Sequence, residues 1–352
     1  MTGGRIAALG TAAGAVGTLG LGAFVARRLL FPTPYTATAT VRHATETETE
    51  FVATRDTRLP GTYRLTRDGV GLGVHEVTGT RDGTLRRRTD SAPAAGEWGW
   101  DALLYDDLAD VPGDEPADAP GHEPADVAGG DPTDAPGHEP ATAGTHVVHV
   151  HGQSLGPRQV LRGIPVWRAL GATSEVVDTT DLPLRSLDPG AVDRIVAAVR
   201  AARRHGATRV VLQGWSAGAL ACSVAASRVE VDGLVGIAPL LSVSSALRGA
   251  VSGAHLPAFV GTVAARIATT GVLSRLAGAA APVQTTAWQA SATPTLLVHS
   301  AADALVAEAD VAAQTARPGT RAVAFRTAPH TLEWNEDPER WEGAVRDFAA
   351  TL

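Results

Sequence analysis

Cysteine is almost missing from this 352-residue chain, with Cys222 as its single example. An intramolecular disulfide is therefore excluded, no zinc-binding cysteine cluster can form, and the compartment cannot be read from cysteine pairing. Cys222 lies in a run of small helix-forming residues and reads as core. Positive charge is also short. The formal net charge is −7, with the acidic residues concentrated in one stretch, so no basic surface for a phosphate backbone is expected, and nucleic acid is not an expected partner.

Charge of either sign is absent from Ile6 to Val25, a run made mainly of Ala, Gly, Leu and Val, with Arg5 before it and Arg27 and Arg28 after it. About twenty such residues can span a bilayer. Residues 1–30 are therefore expected to be a single-pass anchor in the cell membrane, in preference to a cleaved signal peptide or a buried N-terminal helix. The run exceeds the usual signal-peptide core of about 7 to 15 residues, and two arginines follow it in place of a small-residue cleavage site. Gly10 and Gly14 form a weak small-xxx-small pair. Arg5 with the amino terminus balances Arg27 with Arg28, so the side of the membrane stays open.

Residues 31–110 are rich in Thr and Val, with alternation at Thr36 to Val41 and Glu50 to Thr54 and turn signals at Asp68-Gly69 and Asp82-Gly83. Short antiparallel strands are expected, either as edge strands of a larger sheet or as a separate subdomain. Residues 111–143 change to Pro, Gly, Asp, Glu and Ala, and the heptapeptide Ala119 to Ala125 returns as Ala135 to Ala141. That composition reads as a disordered linker in which His122 and His138 are solvated repeats.

From residue 144 to 352, buried strands alternate with amphipathic helices. The strands are expected at His146–Val150, Ser174–Val177, Thr208–Gln213, Gly233–Ala238, Thr295–His299 and Ala322–Arg326. Asp188-Pro189 and Asp337-Pro338 are helix-start signals. Alternation of this kind specifies an α/β fold with a mostly parallel sheet covered by helices. Residues 242–292 interrupt it with a helical insertion holding Leu256, Phe259, Val263, Ile267 and Leu273, which reads as a cap whose apolar side chains line a pocket or pack as core.

The third strand runs into Gly214-Trp215-Ser216-Ala217-Gly218 and then a helix-forming run. The pentapeptide alone is weak evidence; its setting between strand and helix is what gives a serine hydroxyl an exposed perch. A serine needs a base before it is nucleophilic. Asp303 follows the strand ending His299-Ser300 and His330 follows the next, giving the order Ser216, Asp303, His330 at successive strand ends. His149-Val150-His151-Gly152-Gln153 closes the first strand of the domain, and the backbone amides of Gln153 and Ala217 are the expected oxyanion donors. As metal ligands, His149 and His151 lack a further His or Cys pair, so His151 is read as shaping the loop and His149 as core. Trp215 is either pocket wall or packing.

These residues, with Leu30 to Pro34, Leu59 to Tyr63 and His330 to Asn335, resemble the α/β-hydrolase superfamily. Within it they are similar to a group of actinobacterial membrane-associated hydrolases related to the serine aminopeptidase and dienelactone hydrolase-like branch. The resemblance covers about residues 29 to 352, loosely before Thr145, and implies the same triad and oxyanion donors. Two departures, at Gln153 to Arg158 and at Leu240 to Val243, flank the mouth of the expected site, so the resemblance implies a mechanism class more than a substrate.

The expectation is thus an α/β-hydrolase fold with a helical cap and a small N-terminal β-rich region, acting as a serine esterase on a small acyl substrate. No cofactor and no metal are expected. A peptidase or acyltransferase would use the same residues, and a membrane-tethered binding scaffold is the rival of another class. Substrate and oligomeric state stay open.

Overall fold

The computed structural model describes residues 2–33, 36–112, 144–284, 286–289 and 292–352, with side chains from residue 16 onward. The duplicated heptapeptide, His122, His138 and the surroundings of Gly10 and Gly14 lie outside the described residues.

Helix α1 (Thr2–Leu30) leads into six antiparallel strands, β1 (Ala37–Ala44), β2 (Glu48–Val52), β3 (Tyr63–Arg67), β4 (Val70–Arg81), β5 (Thr84–Thr89) and β6 (Gly96–Asp101). They close into a barrel in the order β1-β2-β5-β4-β3-β6, which leaves no free sheet edge. The region forms a unit of its own and adds nothing to the parallel sheet. Alternate residues point inward, and Phe51, Tyr63, Leu65, Val74, Leu85, Trp98 and Trp100 fill the interior. Asp68 and Gly69 both have positive φ, the conformation that a two-residue hairpin turn requires. Arg87 is also inside, donating to the carbonyls of Thr57 (2.9 Å), Leu59 (2.7 Å) and Gly61, with its guanidinium 5.3 Å from the ring centroids of Tyr63 and Trp100.

The second unit is a six-stranded sheet in the order β12-β11-β10-β9-β7-β8 with every pairing parallel. Its strands are β7 (Thr145–Val150), β8 (Thr173–Val177), β9 (Arg209–Trp215), β10 (Gly233–Ile237), β11 (Thr295–Ser300) and β12 (Thr320–Phe325). Its helices are α2 (Ile164–Ala169), α3 (Pro189–Arg204), α4 (Ala217–Ala226), α5 (Val243–Gly253), α6 (Ala258–Thr269), α7 (Glu308–Thr315), α8 (Glu333–Glu336) and α9 (Pro338–Ala349). Both proline-led helices begin at their aspartates: Asp188 accepts from Gly190 N and Asp337 from Arg340 N. On one sheet face Val148, Val210, Leu212 and Leu234 meet α3 and α4. On the other, Val147, Val211 and Val235 meet Trp167 of α2 and Trp341 and Phe348 of α9. Strand order reverses between β7 and β9, because the chain goes from β7 outward to β8 and returns to β9. Such a reversal opens a crevice at the carboxyl ends of the strands.

The cap packs against the end of α1. Val25, Ala26 and Leu30 of α1 are buried in one cluster with Val243 and Leu247 of α5 and Val260, Ala264 and Ile267 of α6. Among the described residues no helix is long and apolar enough to cross a membrane. The end of α1 thus packs against protein, where a membrane-spanning helix was expected over residues 1–30. An apolar helix face loses contact with water as well against other helices as against lipid, and here the cap provides the partner. Phe259, expected to line a pocket or pack as core, is instead 55% exposed.

The barrel is latched to the sheet at the segment after β12. Asn335 is fully buried, and its side-chain amide donates to Thr62 O (2.7 Å) and Ala102 O (2.9 Å) while its carbonyl accepts from Thr62 N (2.8 Å). Arg162 of the parallel-sheet unit donates to Asn335 Oδ1, to Ala102 O at 3.1 Å and to Thr331 O at 2.5 Å. Asn335→Ala takes the side-chain donor from the half-buried Thr62 carbonyl and an acceptor from the Arg162 guanidinium, while Ala102 O keeps Arg162, so a loss of about 2 kcal/mol is expected, read as a lowered midpoint in thermal or urea unfolding.

Candidate active site

Strand β9 ends at Trp215, and Ser216 sits between it and α4 with φ 55° and ψ −118°, a conformation that disfavours any side chain by roughly 1–3 kcal/mol. Two glycines make the turn possible. A Cβ at Gly214 would collide with the backbone of Ala219, and one at Gly218 with the carbonyl oxygens of His151 and Val150. The helix thus approaches the end of β7 at van der Waals distance, and Ser216 is lifted above the sheet.

His330 Nε2 lies 2.8 Å from Ser216 Oγ, and His330 Nδ1 lies 2.6 Å from Asp303 Oδ2. Asp303 is buried, and its other oxygen accepts from Leu305 N at 2.9 Å. An anion so placed holds the imidazole proton on Nδ1 and leaves Nε2 able to accept from the serine hydroxyl. The three predicted residues come from the loops after β9, β11 and β12, which end at one edge of the sheet.

Gln153 and Ala217 line the same cavity as Ser216 and His330. Ala217 is the first residue of α4, where backbone N–H groups have no intrahelical acceptor and the helix dipole is positive. The loop carrying Gln153 is held on several sides. Gly152 N donates to Gln159 Oε1 at 2.7 Å, Gln153 Nε2 donates to Leu30 O at 3.1 Å, and Arg185 donates to Gln153 O at 2.6 Å.

His151 Nε2 accepts from Thr179 N (3.0 Å) and Nδ1 donates to Gly152 O (2.7 Å), so the ring is neutral even though Asp178 lies 3.3 Å away. Burial, the largest influence, also holds its pKa below the usual histidine range. His149 is wholly buried in the sheet, and desolvation pushes its pKa down to about 3. Among the described residues no group of three or more His, Cys, Asp or Glu could hold a metal ion. Trp215 is packing rather than pocket wall, fully buried and stacked on Trp341 at 5.9 Å, with the Arg162 guanidinium 4.6 Å from its ring centroid.

Sequence reasoning missed contributors at three places in the chain. Arg28 and Leu29 line the cavity beside Ser216, although the arginine pair reads as a flank to an apolar run. Arg162 pins the His330 loop through Thr331 O, and a buried arginine has no local sequence signal. Glu333 is the third, wholly buried, with no hydrogen-bond partner for either side-chain oxygen. Burial raises its pKa well above the carboxylate range, and the charge of Asp303 raises it further.

Two cavities meet at His330. The smaller, of about 110 Å³, contains Ser216, Gln153 and Ala217 and is walled by Leu29, Leu187, Leu240 and Leu305. The larger, of about 370 Å³, is walled on the barrel side by Ala37, Leu59, Tyr63, Trp100 and Leu103.

The parallel sheet, its helical cap and the Ser-His-Asp cluster at the strand ends define an α/β-hydrolase fold. No family model and no curated protein matches the chain. Solved structures of α/β-hydrolase superfamily proteins are similar to it. A protein from Xanthomonas campestris assigned to that superfamily is 24% identical over 58% of this chain and 96% of its own, with a TM-score of 0.40. The esterase Pf2001 of Pyrococcus furiosus is 17% identical over 59% and 82%, with a TM-score of 0.42. Est1E from Butyrivibrio proteoclasticus is 16% identical over 82% and 97%, with a TM-score of 0.41.

Glu333 makes stability depend on pH. A carboxyl whose folded pKa is raised from its ordinary 4.5 binds its proton more tightly in the folded state, so its contribution is complete below pH 4.5 and is lost as pH rises toward the folded value. Glu333→Gln, which keeps the shape without the ionisation, is expected to raise the melting midpoint at pH 8, with the gain shrinking to nothing near pH 4. Paired thermal melts across that range check it.

Proposed function

We propose that this protein is a serine hydrolase that cleaves a carboxylic ester through an acyl-enzyme intermediate. One observation carries the reading: Ser216 Oγ, His330 Nε2 and Nδ1, and Asp303 Oδ2 form a continuous hydrogen-bonded line at the mouth of a cavity. Ser216 Oγ attacks the carbonyl carbon while His330 Nε2 takes its proton. The amides of Gln153 and Ala217 receive the oxyanion of the tetrahedral intermediate, a contribution of roughly 10²–10³ in kcat per donor in comparable sites. When the carbon–oxygen bond breaks, His330 returns the proton to the leaving alcohol. A water molecule, deprotonated by His330, then attacks the acyl-enzyme, the acid departs, and Ser216 recovers its proton. Asp303 keeps the imidazole in the required tautomer and stabilises its positive charge.

The sequence motifs support a place near the serine aminopeptidase and dienelactone hydrolase-like branch. An ester is favoured over a peptide because, among the described residues, no carboxylate lines the cavity that holds Ser216, where a substrate amino terminus would need one. Transfer of the acyl group to an alcohol or amine would use the same residues, and product analysis separates it from hydrolysis.

Wild-type protein should react with a fluorophosphonate probe, and Ser216→Ala and His330→Ala should not. Against an activated ester such as p-nitrophenyl acetate, Ser216→Ala is expected to lose at least roughly 10⁴-fold in kcat, and Asp303→Asn to lose about 10⁴-fold because the imidazole takes the wrong tautomer. Folded wild-type protein that neither labels nor turns over any ester would favour a binding protein on a hydrolase fold.

A further inference from the structure

We propose that the N-terminal barrel is the leaving-group site of this hydrolase. The preferred substrates are then esters that join a short acyl chain to a bulky, largely apolar alcohol. The proposal rests on the reading of Ser216 as nucleophile and follows from how the two cavities divide around the reacting atoms.

Ser216, Gln153 and Ala217 belong to the smaller cavity alone. The carbonyl carbon must touch Ser216 Oγ, and its oxygen must face the two amides, so the acyl half that stays bonded to the serine occupies this space. Its volume of about 110 Å³ is that of roughly four water molecules. Leu29, Leu187, Leu240 and Leu305 close its walls, which limits the chain to a few carbons.

The leaving oxygen has a different requirement. His330 Nε2 must give it a proton, so the alcohol departs past the imidazole. His330 is shared by both cavities, together with Pro32, Ser154 and Thr331, and on its far side opens the larger space of about 370 Å³. That volume suits a ligand of one or two rings. Its barrel wall is apolar at Leu59, Tyr63 and Trp100, and the rim carries Arg55, Asp56 and Asp101.

This wall is braced in place. Arg87, whose guanidinium lies inside the barrel, ties down Thr57, Leu59 and Gly61 through their carbonyls, and so holds the segment that carries Leu59. Arg162 and Asn335 join the barrel to the His330 loop by hydrogen bonds to Ala102 O and Thr331 O. The barrel pocket and the general base are thereby parts of one hydrogen-bonded unit, and the alcohol is read against a preformed surface.

The test is kcat/KM for ethyl acetate, 2-naphthylmethyl acetate and ethyl decanoate with wild type, Leu59→Trp and Leu59→Ala, each checked for folding by circular dichroism. Wild type should prefer the naphthylmethyl ester over the decanoate. Leu59→Trp, which fills the barrel-side cavity, should reduce the naphthylmethyl-to-ethyl acetate ratio at least about tenfold. Leu59→Ala should shift that ratio far less than the tryptophan variant. A preference for decanoate that Leu59→Trp abolishes would place the acyl chain in the barrel and overturn the proposal, as would a ratio unmoved by filling the cavity. In either case fluorophosphonate labelling of Ser216 would persist, leaving the hydrolase reading intact. Loss of both labelling and turnover in folded wild type would instead remove that reading and this proposal with it.

Discussion

The contact on which the site depends is the close approach of α4 to the end of β7. Gly218 lies against the carbonyl oxygens of Val150 and His151 so closely that no side chain fits. That approach forces Ser216 into its positive-φ conformation and sets Ala217 and Gln153 on one cavity. The strain is held by packing: Ala219, Leu220, Ala221 and Cys222 are all buried in the layers around α4. A helix so thoroughly enclosed cannot retreat to relax one backbone torsion, because the retreat would open apolar voids on several sides.

Around that contact the working surfaces come from segments far apart in the chain. The end of α1 supplies Arg28 and Leu29 and accepts a hydrogen bond from the Gln153 side chain through Leu30 O. The barrel supplies Tyr63 and Trp100, and Arg162 ties the barrel to the loop bearing His330. A buried arginine does this joining with several donors. Arg162 is wholly desolvated, with its pKa brought down to about 10, and its donors reach carbonyls and an amide oxygen on both units. Such a group fixes geometry more than it adds stability, because the desolvation of its charge offsets much of what the hydrogen bonds contribute.

Much of the parallel-sheet unit was legible in the chain. Valine-rich runs of five to seven residues with Asp-Pro helix starts between them encode strands and helices locally, so the observed strands begin and end within about two residues of expectation. Ser216, Asp303 and His330 were found because each follows a strand, and parallel strands bring their carboxyl ends to one edge whatever their separation in sequence. Barrel closure was not legible, since alternation marks a strand but says nothing of which neighbour it pairs with. The packing of the end of α1 on the cap was not legible for a related reason: an apolar run reports aversion to water, not whether lipid or protein relieves it.

What the sequence determined by itself was the periodic hydrophobic pattern, the strained turn permitted by Gly214 and Gly218, and the chain order of the three polar residues, because these are properties of neighbours along the backbone. Tertiary structure alone decided that the end of α1 would line the cavity around Ser216 and that Arg162, Glu333 and Asn335 would be buried around the His330 loop. It also decided that the barrel would wall the second cavity. Those outcomes depend on which surfaces remain to be covered once the sheet has formed, and that is settled by packing in three dimensions.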